Sequence, residues 1–405
     1  MKQKPVREIA IVLLLALTVR FAYLAWCPVP APPPDAIADY HPMAVNLLAG
    51  KGFINGDGLP DHRRGPGYSL FLAGIYRLAG QQDFPAVRAV QATVDTLTIL
   101  LAVCLAFRLF QRWKPALFSG MVLAIHPLLV YSSSLILCET IFLFFFTASV
   151  LCLVAADQNG KKHLFLLAGL CLALTTLIRS TPILFPVIVG AWLFRRPKIS
   201  RPVLVVRFGF FLLTFILTVL PWTIRNYLVF REFIPTTSNS GTNFLSGSSL
   251  DYLTAEKKRR IIRNKDISQF RKTDAVPWTE MSPARLDRNL WRLGWQNYRE
   301  TWAGNKTDLA RLFFRKTLRF WYATDSGKMQ PFLLAVEIPF LLLGAAGFFL
   351  ILKREPNRRD FSLTGLAVVY FWGVAVFLFP LARYSLPVIP FLAMYISGLI
   401  PSPRT

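Results

Sequence analysis

Long apolar runs separated by short basic breaks dominate this chain, and two of the breaks are long. Apolar stretches near the length needed to cross a hydrocarbon core of about 30 Å occur at 9–26, 84–110, 115–131, 134–156, 164–178, 181–194, 203–222, 331–352, 361–380 and 384–400. This pattern predicts an all-α polytopic membrane protein with about ten transmembrane helices. Proline at 28, 30, 32, 33 and 34 ends the first run sharply, because proline cannot donate a helix hydrogen bond. From Asp35 to Ala49 the apolar residues Ile37, Tyr40, Ala44, Leu47 and Leu48 recur at helical spacing, with Asp39, His41 and Asn46 elsewhere on the wheel. That spacing predicts a juxtamembrane helix lying in the interface, stopped by Gly50-Lys51-Gly52.

Charge orients the pattern. With the N-terminus inside, the inside loops are Arg108 to Lys114, Asp157 to His163, Arg195 to Arg207, Lys353 to Asp360 and the segment ending at Arg404, and each carries Lys or Arg. The long hydrophilic stretches 28–83 and 223–330 then both fall outside. The second is basic, but loops of that length translocate largely regardless of charge. The predicted organisation is a bundle over 1–222 containing a first outer loop at 28–83, a second outer region at 223–330, and C-terminal membrane helices at 331–405. Residues 1–27 have the outline of a cleaved signal, yet Trp26 before Cys27 is wrong for lipoprotein cleavage and Arg20 interrupts the apolar run, so an uncleaved first span is expected.

Composition sharpens the class. Hydrophobic residues make up 54% of the 405 positions and charged residues 17%, too apolar for a soluble globule of this size. The net charge of +24 does not point to nucleic acid, because the Lys and Arg sit mainly between the apolar runs. The five cysteines are scattered singly, three of them inside apolar runs, which predicts no disulfide framework.

Several residues are candidates for chemistry. Asp35 and Asp39 follow the first span at the membrane surface; Asp35 also fits a helix N-cap and Asp39 a solvated face. Glu139 opens an apolar run, where an unpaired carboxylate is costly and marks a functional position. Arg64, Arg225 and Arg383 stand at run ends, suited either to anchoring or to holding a phosphate bidentately. Arg88, Gln91 and Asp95 share one face of the second run and are expected to join helices. His62 with Glu139 could ligate a divalent cation, a cofactor the sequence leaves undecided. Lys257-Lys258-Arg259-Arg260 suits a solvated face or anionic lipid.

The order of these landmarks carries a resemblance. Asp35 through Tyr40 to Phe53, then Arg63-Arg64-Gly65-Pro66-Gly67-Tyr68, Glu139, Arg179, Pro221-Trp222-Thr223-Ile224-Arg225-Asn226-Tyr227 and Arg383-Tyr384-Ser385-Leu386-Pro387 resemble the C-type-fold membrane glycosyltransferases. Within that superfamily they look like the bacterial dolichyl-phosphate-mannose-protein mannosyltransferase-like branch, relatives of protein O-mannosyltransferases and lipid A aminoarabinose transferases. The resemblance implies inverting sugar transfer from a polyprenyl-phosphate donor to a lipid, glycan or protein acceptor, at the outer face of a bacterial inner membrane. It implies a catalytic aspartate four residues before the tyrosine; that position is Ala36, so the implied base is Asp35 or Asp39, with Glu139 in support. Tyr40, Arg64, Tyr68, Arg179, Arg225, Asn226, Arg383 and Tyr384 are the implied substrate-binding residues. A transporter or flippase of lipid-linked sugars is the competing function, and it would place its charges near the bilayer midplane.

Overall fold

The structure, a computed structural model, describes residues 5–27, 31–195, 199–248, 281–324, 327, 329–354 and 361–401. Its described residues are helical, joined by turns and one isolated antiparallel bridge between Ile54 and Pro60. The cluster Lys257 to Arg260 lies outside the described residues.

Among the described residues five helices are long and apolar enough to cross a membrane: α1 (Val6–Trp26), α4 (Phe84–Phe110), α7 (Glu139–Asn159), α10 (Arg201–Phe230) and α14 (Gln330–Arg354). A sixth span is broken: α5 (Trp113–Ile125) and α6 (Pro127–Ser134) meet at an angle of 53°. His126 lies at the break, and Pro127 beyond it has no amide to continue the ladder. Shorter apolar helices are α8 (Lys162–Ile178), α9 (Phe185–Leu193) with the 3₁₀ turn before it, and α15 (Ser362–Phe377). The expected span at 384–400 is two 3₁₀ turns followed by α16 (Ile389–Ser397), nearly all buried inside the bundle. Among the described residues, six elements, counting the bent pair as one, have spanning length and composition, and the rest of the apolar sequence expected to span forms shorter helices, with Pro182, Pro186, Pro387 and Pro390 in their first turns.

The other helices lie between spans. A π turn at Ala36–Tyr40 leads into α2 (His41–Leu48), and α3 (Pro66–Ala79) follows. Positive φ at Gly50 (73°) and Gly52 (80°) ends the α2 segment as the sequence predicts. Its buried face is Ala36, Tyr40, Met43 and Ala44, whereas Ile37 and Leu48 are exposed. Beyond α10 come α11 (Ser240–Ser246), α12 (Pro283–Gly304) and α13 (Lys306–Tyr322). With 30 residues, α10 is about 45 Å long at 1.5 Å per residue. It is longer than a core of about 30 Å, and residues 223–230, with Arg225 and Asn226, continue this helix rather than beginning a loop.

Charges inside the bundle are paired or occluded. Arg20 on α1 is fully buried, donates to Asp95 on α4 at 2.6 Å, and also binds the carbonyls of Ala16 and Ala124. Gln91 takes the Tyr68 hydroxyl and binds the carbonyls of Ser133 and Leu135, while Arg88 binds that of Ser134. The polar face of α4 thus fastens α1, α3 and the α6–α7 connection, as helix-joining groups do where water cannot compete. Glycine allows two close approaches: a Cβ at Gly65 would collide with the Leu177 carbonyl, and one at Gly67 with Ile178, so the start of α3 lies against the end of α8.

Candidate active site at one end of the bundle

Five chain segments bring charge to one place. The π turn supplies Asp35 and Asp39, the residues before α3 supply Arg63 and Arg64, and the first turn of α7 supplies Glu139. The C-cap of α8 supplies Arg179, and the 3₁₀ turn before α16 supplies Arg383 and Tyr384. Arg64 donates from Nε to Oδ2 of Asp39 at 2.9 Å and from Nη2 to Oδ1 of Asp35 at 3.1 Å. Arg63 donates to the other oxygen of Asp39 at 2.8 Å. Arg383 donates to Oδ2 of Asp35 at 3.2 Å and lies 3.9 Å from Oε1 of Glu139. Arg179 donates to that same Glu139 oxygen at 3.3 Å and stacks over the Tyr384 ring at 4.1 Å.

The two aspartates differ in their surroundings. Asp39 has a side chain 8% exposed and arginine on both oxygens, whereas the Asp35 side chain is 30% exposed. Asp35 makes no side-chain cap bond, so the N-cap role does not hold; its first-turn amides are served by the Pro33 carbonyl geometry instead, with Ala36 and Ile37 both donating to Pro33. Asp39 is likewise no solvated residue. The π turn is instructive for spacing, since its His41 amide bonds back to Ala36, accommodating one residue more than an α turn.

Aromatic and thiol groups form the wall. The Tyr40 ring meets Tyr68 edge-on at 4.9 Å, Arg64 lies over Tyr40 at 5.2 Å, and the Tyr40 hydroxyl donates to the buried Cys138 thiol, itself 3.7 Å from Glu139. Burial, then the neighbouring Cys138, pushes the Tyr40 hydroxyl well above its ordinary range, so it remains a neutral donor. Tyr68 is fully buried and supports Tyr40 rather than facing the arginines.

Arg225 and Asn226 have other partners. Arg225 binds the carbonyls of Phe53 and Asp61, and Asn226 those of Ile234 and Thr236, while the Trp222 indole also donates to Thr236. Arg225 thus ties the end of α10 to the loop that leads to Arg63 and Arg64, and Asn226 ties it to the chain that follows α10. His62 lies 3.3 Å from the Ser238 carbonyl and edge-on to Phe230, and burial lowers its pKa. Among the described residues no group of three or more His, Cys, Asp or Glu is arranged around an ion. The carboxylates Asp35, Asp39 and Glu139 are met by guanidinium groups, a donor set that supplies positive charge itself and does not fit a metal in the manner of His62 with Glu139.

Two participants were not evident from sequence. In the sequence Arg63 is only the neighbour of Arg64, and the fold turns it onto Asp39. The buried Lys316 on α13 had a signal: Leu312, Lys316 and Phe320 recur every four residues on the face that packs inward.

Residues 63–222 match the family profile described as dolichyl-phosphate-mannose-protein mannosyltransferase. A comparison with curated proteins finds no match. Among solved structures, the chain is similar to the archaeal oligosaccharyltransferase AglB from Archaeoglobus fulgidus, in complex with an inhibitory peptide and a dolichol-phosphate. That match has a TM-score of 0.61 at 13% identity and covers 97% of this chain and 49% of AglB. It is also similar to ArnT from Cupriavidus metallidurans bound to undecaprenyl phosphate, with a TM-score of 0.57 at 13% identity, over 98% of this chain and 60% of ArnT. The chain thus spans between about half and three fifths of the length of these relatives. It shares the fold of these two solved membrane proteins, and residues 63–222 match the dolichyl-phosphate-mannose-protein mannosyltransferase profile.

Proposed function

We propose that this chain transfers a sugar from a polyprenyl-phosphate donor to an acceptor at the outer face of the membrane, with Asp35 as general base. The observation that carries the reading is the position of Asp35: the more exposed aspartate of the π turn, set between Arg64 and Arg383. A base must come within hydrogen-bond reach of the acceptor, and although arginine meets both oxygens of either aspartate, the Asp39 side chain is the more enclosed, which favours Asp35. The π turn gives further support: Asp35 precedes Tyr40 by five residues rather than four, and a π turn accommodates one residue more than an α turn.

The chemistry follows from the groups present. Asp35 takes the proton of the acceptor hydroxyl or amine as that atom bonds to C1 of the sugar. The bond from C1 to the phosphate oxygen breaks with its electron pair, and the lipid phosphate departs with inversion at C1. Arg64, Arg179 and Arg383 receive the anionic leaving group, since guanidinium pairs with phosphate at two points and never loses its charge. Glu139 holds Arg179 and Arg383 together. Dolichol-phosphate on AglB and undecaprenyl phosphate on ArnT, both polyprenyl phosphates, support this donor class.

One observation favours the transporter reading: the bent α5–α6 pair places His126 3.6 Å from Glu337 of α14, both buried within the span region. The larger concentration of charge is at the bundle end, which favours transfer. Purified protein supplied with a panel of polyprenyl-phosphate sugars decides between them. Release of polyprenyl phosphate with a glycosylated acceptor is the expected result, and movement of intact donor between leaflets of proteoliposomes without sugar release would overturn the enzymatic reading.

A further inference from the structure

The Lys316 ammonium is enclosed far from the arginine cluster in sequence but not in connectivity. Its side chain has no exposed surface, and among the described residues it has no carboxylate partner. Nζ donates to the carbonyls of Gly247 at 3.0 Å, Phe377 at 3.1 Å and Leu378 at 3.1 Å, and to the Tyr298 hydroxyl at 3.0 Å. Phe377 and Leu378 end α15, and Gly247 caps α11, so a cation sits on two helix C-termini. Terminal carbonyls lack intrahelical donors and carry the negative end of the helix dipole, which is what an ammonium without a counter-ion requires. Burial pushes the Lys316 pKa down to about 7.

The same helix holds the chain again a few residues on. The Ala382 amide donates to the carbonyl of Ala323, just beyond α13, at 2.7 Å. Residues 378–382 therefore form a strap gripped by α13 at both ends, and the next two residues are Arg383, on Asp35 and Glu139, and Tyr384, beneath Arg179. The packing tolerates nothing extra: a Cβ on Gly247 would collide with the Leu378 carbonyl and approach Lys316 Nζ to 3.0 Å, although Gly247 itself has an ordinary negative φ.

We infer that Lys316 is a positioning residue for the active site, fixing the strap 378–382 so that Arg383 and Tyr384 are delivered to the pocket formed by Asp35, Glu139 and Arg179. The inference rests on the proposed phosphate-binding role of Arg383. A purely structural lysine would lower stability without acting through one particular arginine.

A double-mutant cycle separates the two, read as binding of undecaprenyl phosphate to the full-length purified protein. Arg383→Ala is expected to weaken binding about tenfold or more, the loss of a charge-assisted contact. Lys316→Met should weaken it comparably, Lys316→Arg should restore part of the loss, and the Lys316→Met/Arg383→Ala pair should bind no worse than Arg383→Ala alone. If Lys316→Met cannot be purified folded, Gly247→Ala replaces it, with the same non-additivity expected. Normal binding by Arg383→Ala would overturn the phosphate reading and this inference with it. Weakened binding by Arg383→Ala with normal or additive behaviour at Lys316 would overturn the inference alone.

Discussion

Asp35 and Asp39 are four residues apart and chemically identical, yet their side chains predict opposite phenotypes. Asp35→Asn keeps the shape and one acceptor oxygen but cannot take a proton. Transfer should fall by about two to four orders of magnitude while donor-lipid binding and thermal stability remain near wild type. Asp39→Asn removes the negative charge that Arg63 and Arg64 share, so both donor binding and folding stability should suffer. Measuring polyprenyl phosphate release and thermal unfolding for both variants checks the distinction; equal transfer by Asp35→Asn and wild type would remove the base assignment and make Glu139 the leading carboxylate. Histidine gives a pH signature. His41 and His62 are both pushed below their ordinary pKa, chiefly by burial. The unfolded chain then binds more protons than the folded one as pH falls through about 6.5, so acid costs stability over that window. Wild type should lose melting temperature between pH 7.5 and 5.5 more steeply than His62→Gln, and parallel curves would show that this side chain does not titrate differently on folding.

At the scale of elements, the π turn and the ends of α8 and α10 decide the site. The turn spends one residue to carry Asp35 and Tyr40 in a common arrangement, and Ile37 is one of its two exposed members, with Ala38. Deleting Ile37 lets the segment close as an ordinary α turn with Asp35 four residues before the tyrosine. Sugar transfer is expected to survive that deletion within about tenfold, whereas inserting an alanine after Ile37 should abolish it, because a second extra residue has no turn geometry to absorb it. If the deletion variant is folded and inactive, the bulge has a role other than restoring register. Arg225 belongs to the same scale. Its guanidinium spans two carbonyls of the 53–61 loop, so Arg225→Ala should lower stability and disturb Arg64 only through that loop, and Arg225→Lys, which cannot span both, should recover little. Donor affinity lost by Arg225→Ala without any change in unfolding would instead mark a direct phosphate contact.

For the whole molecule, the direction in which each helix runs decides which residues share an end of the bundle. Asp35 follows the end of α1, Glu139 begins α7, Arg179 ends α8 and Arg383 precedes α16, and alternating helix directions bring all four to one end. The orientation of that end follows from the basic loops at the other. In a background lacking the exposed Cys27, a cysteine introduced at Glu300 should react with an impermeant maleimide in intact cells, while one at Gln111 should react only after permeabilisation. The reverse pattern would invert the topology and move the proposed reaction to the inner face.

Apolar run length, basic inter-span loops and the proline-marked start of the interface segment were legible without coordinates, because each depends on local sequence meeting lipid or water. So was the set of charged landmarks that the fold gathers at the bundle end, Asp35, Asp39, Arg64, Glu139, Arg179 and Arg383. What the linear chain did not contain was their pairing. The exposure of Asp35 against the enclosure of Asp39, the turn of Arg63 onto that aspartate, and the engagement of Arg225 with loop carbonyls are contacts between residues up to 348 positions apart. The form of the expected span at 384–400 was equally hidden, since its prolines break it into two 3₁₀ turns and a short helix that is fully buried only because neighbours cover it. Hydrophobic periodicity reports what each segment avoids, namely water; which guanidinium meets which carboxylate is decided by packing that brings distant helix ends within about 3 Å.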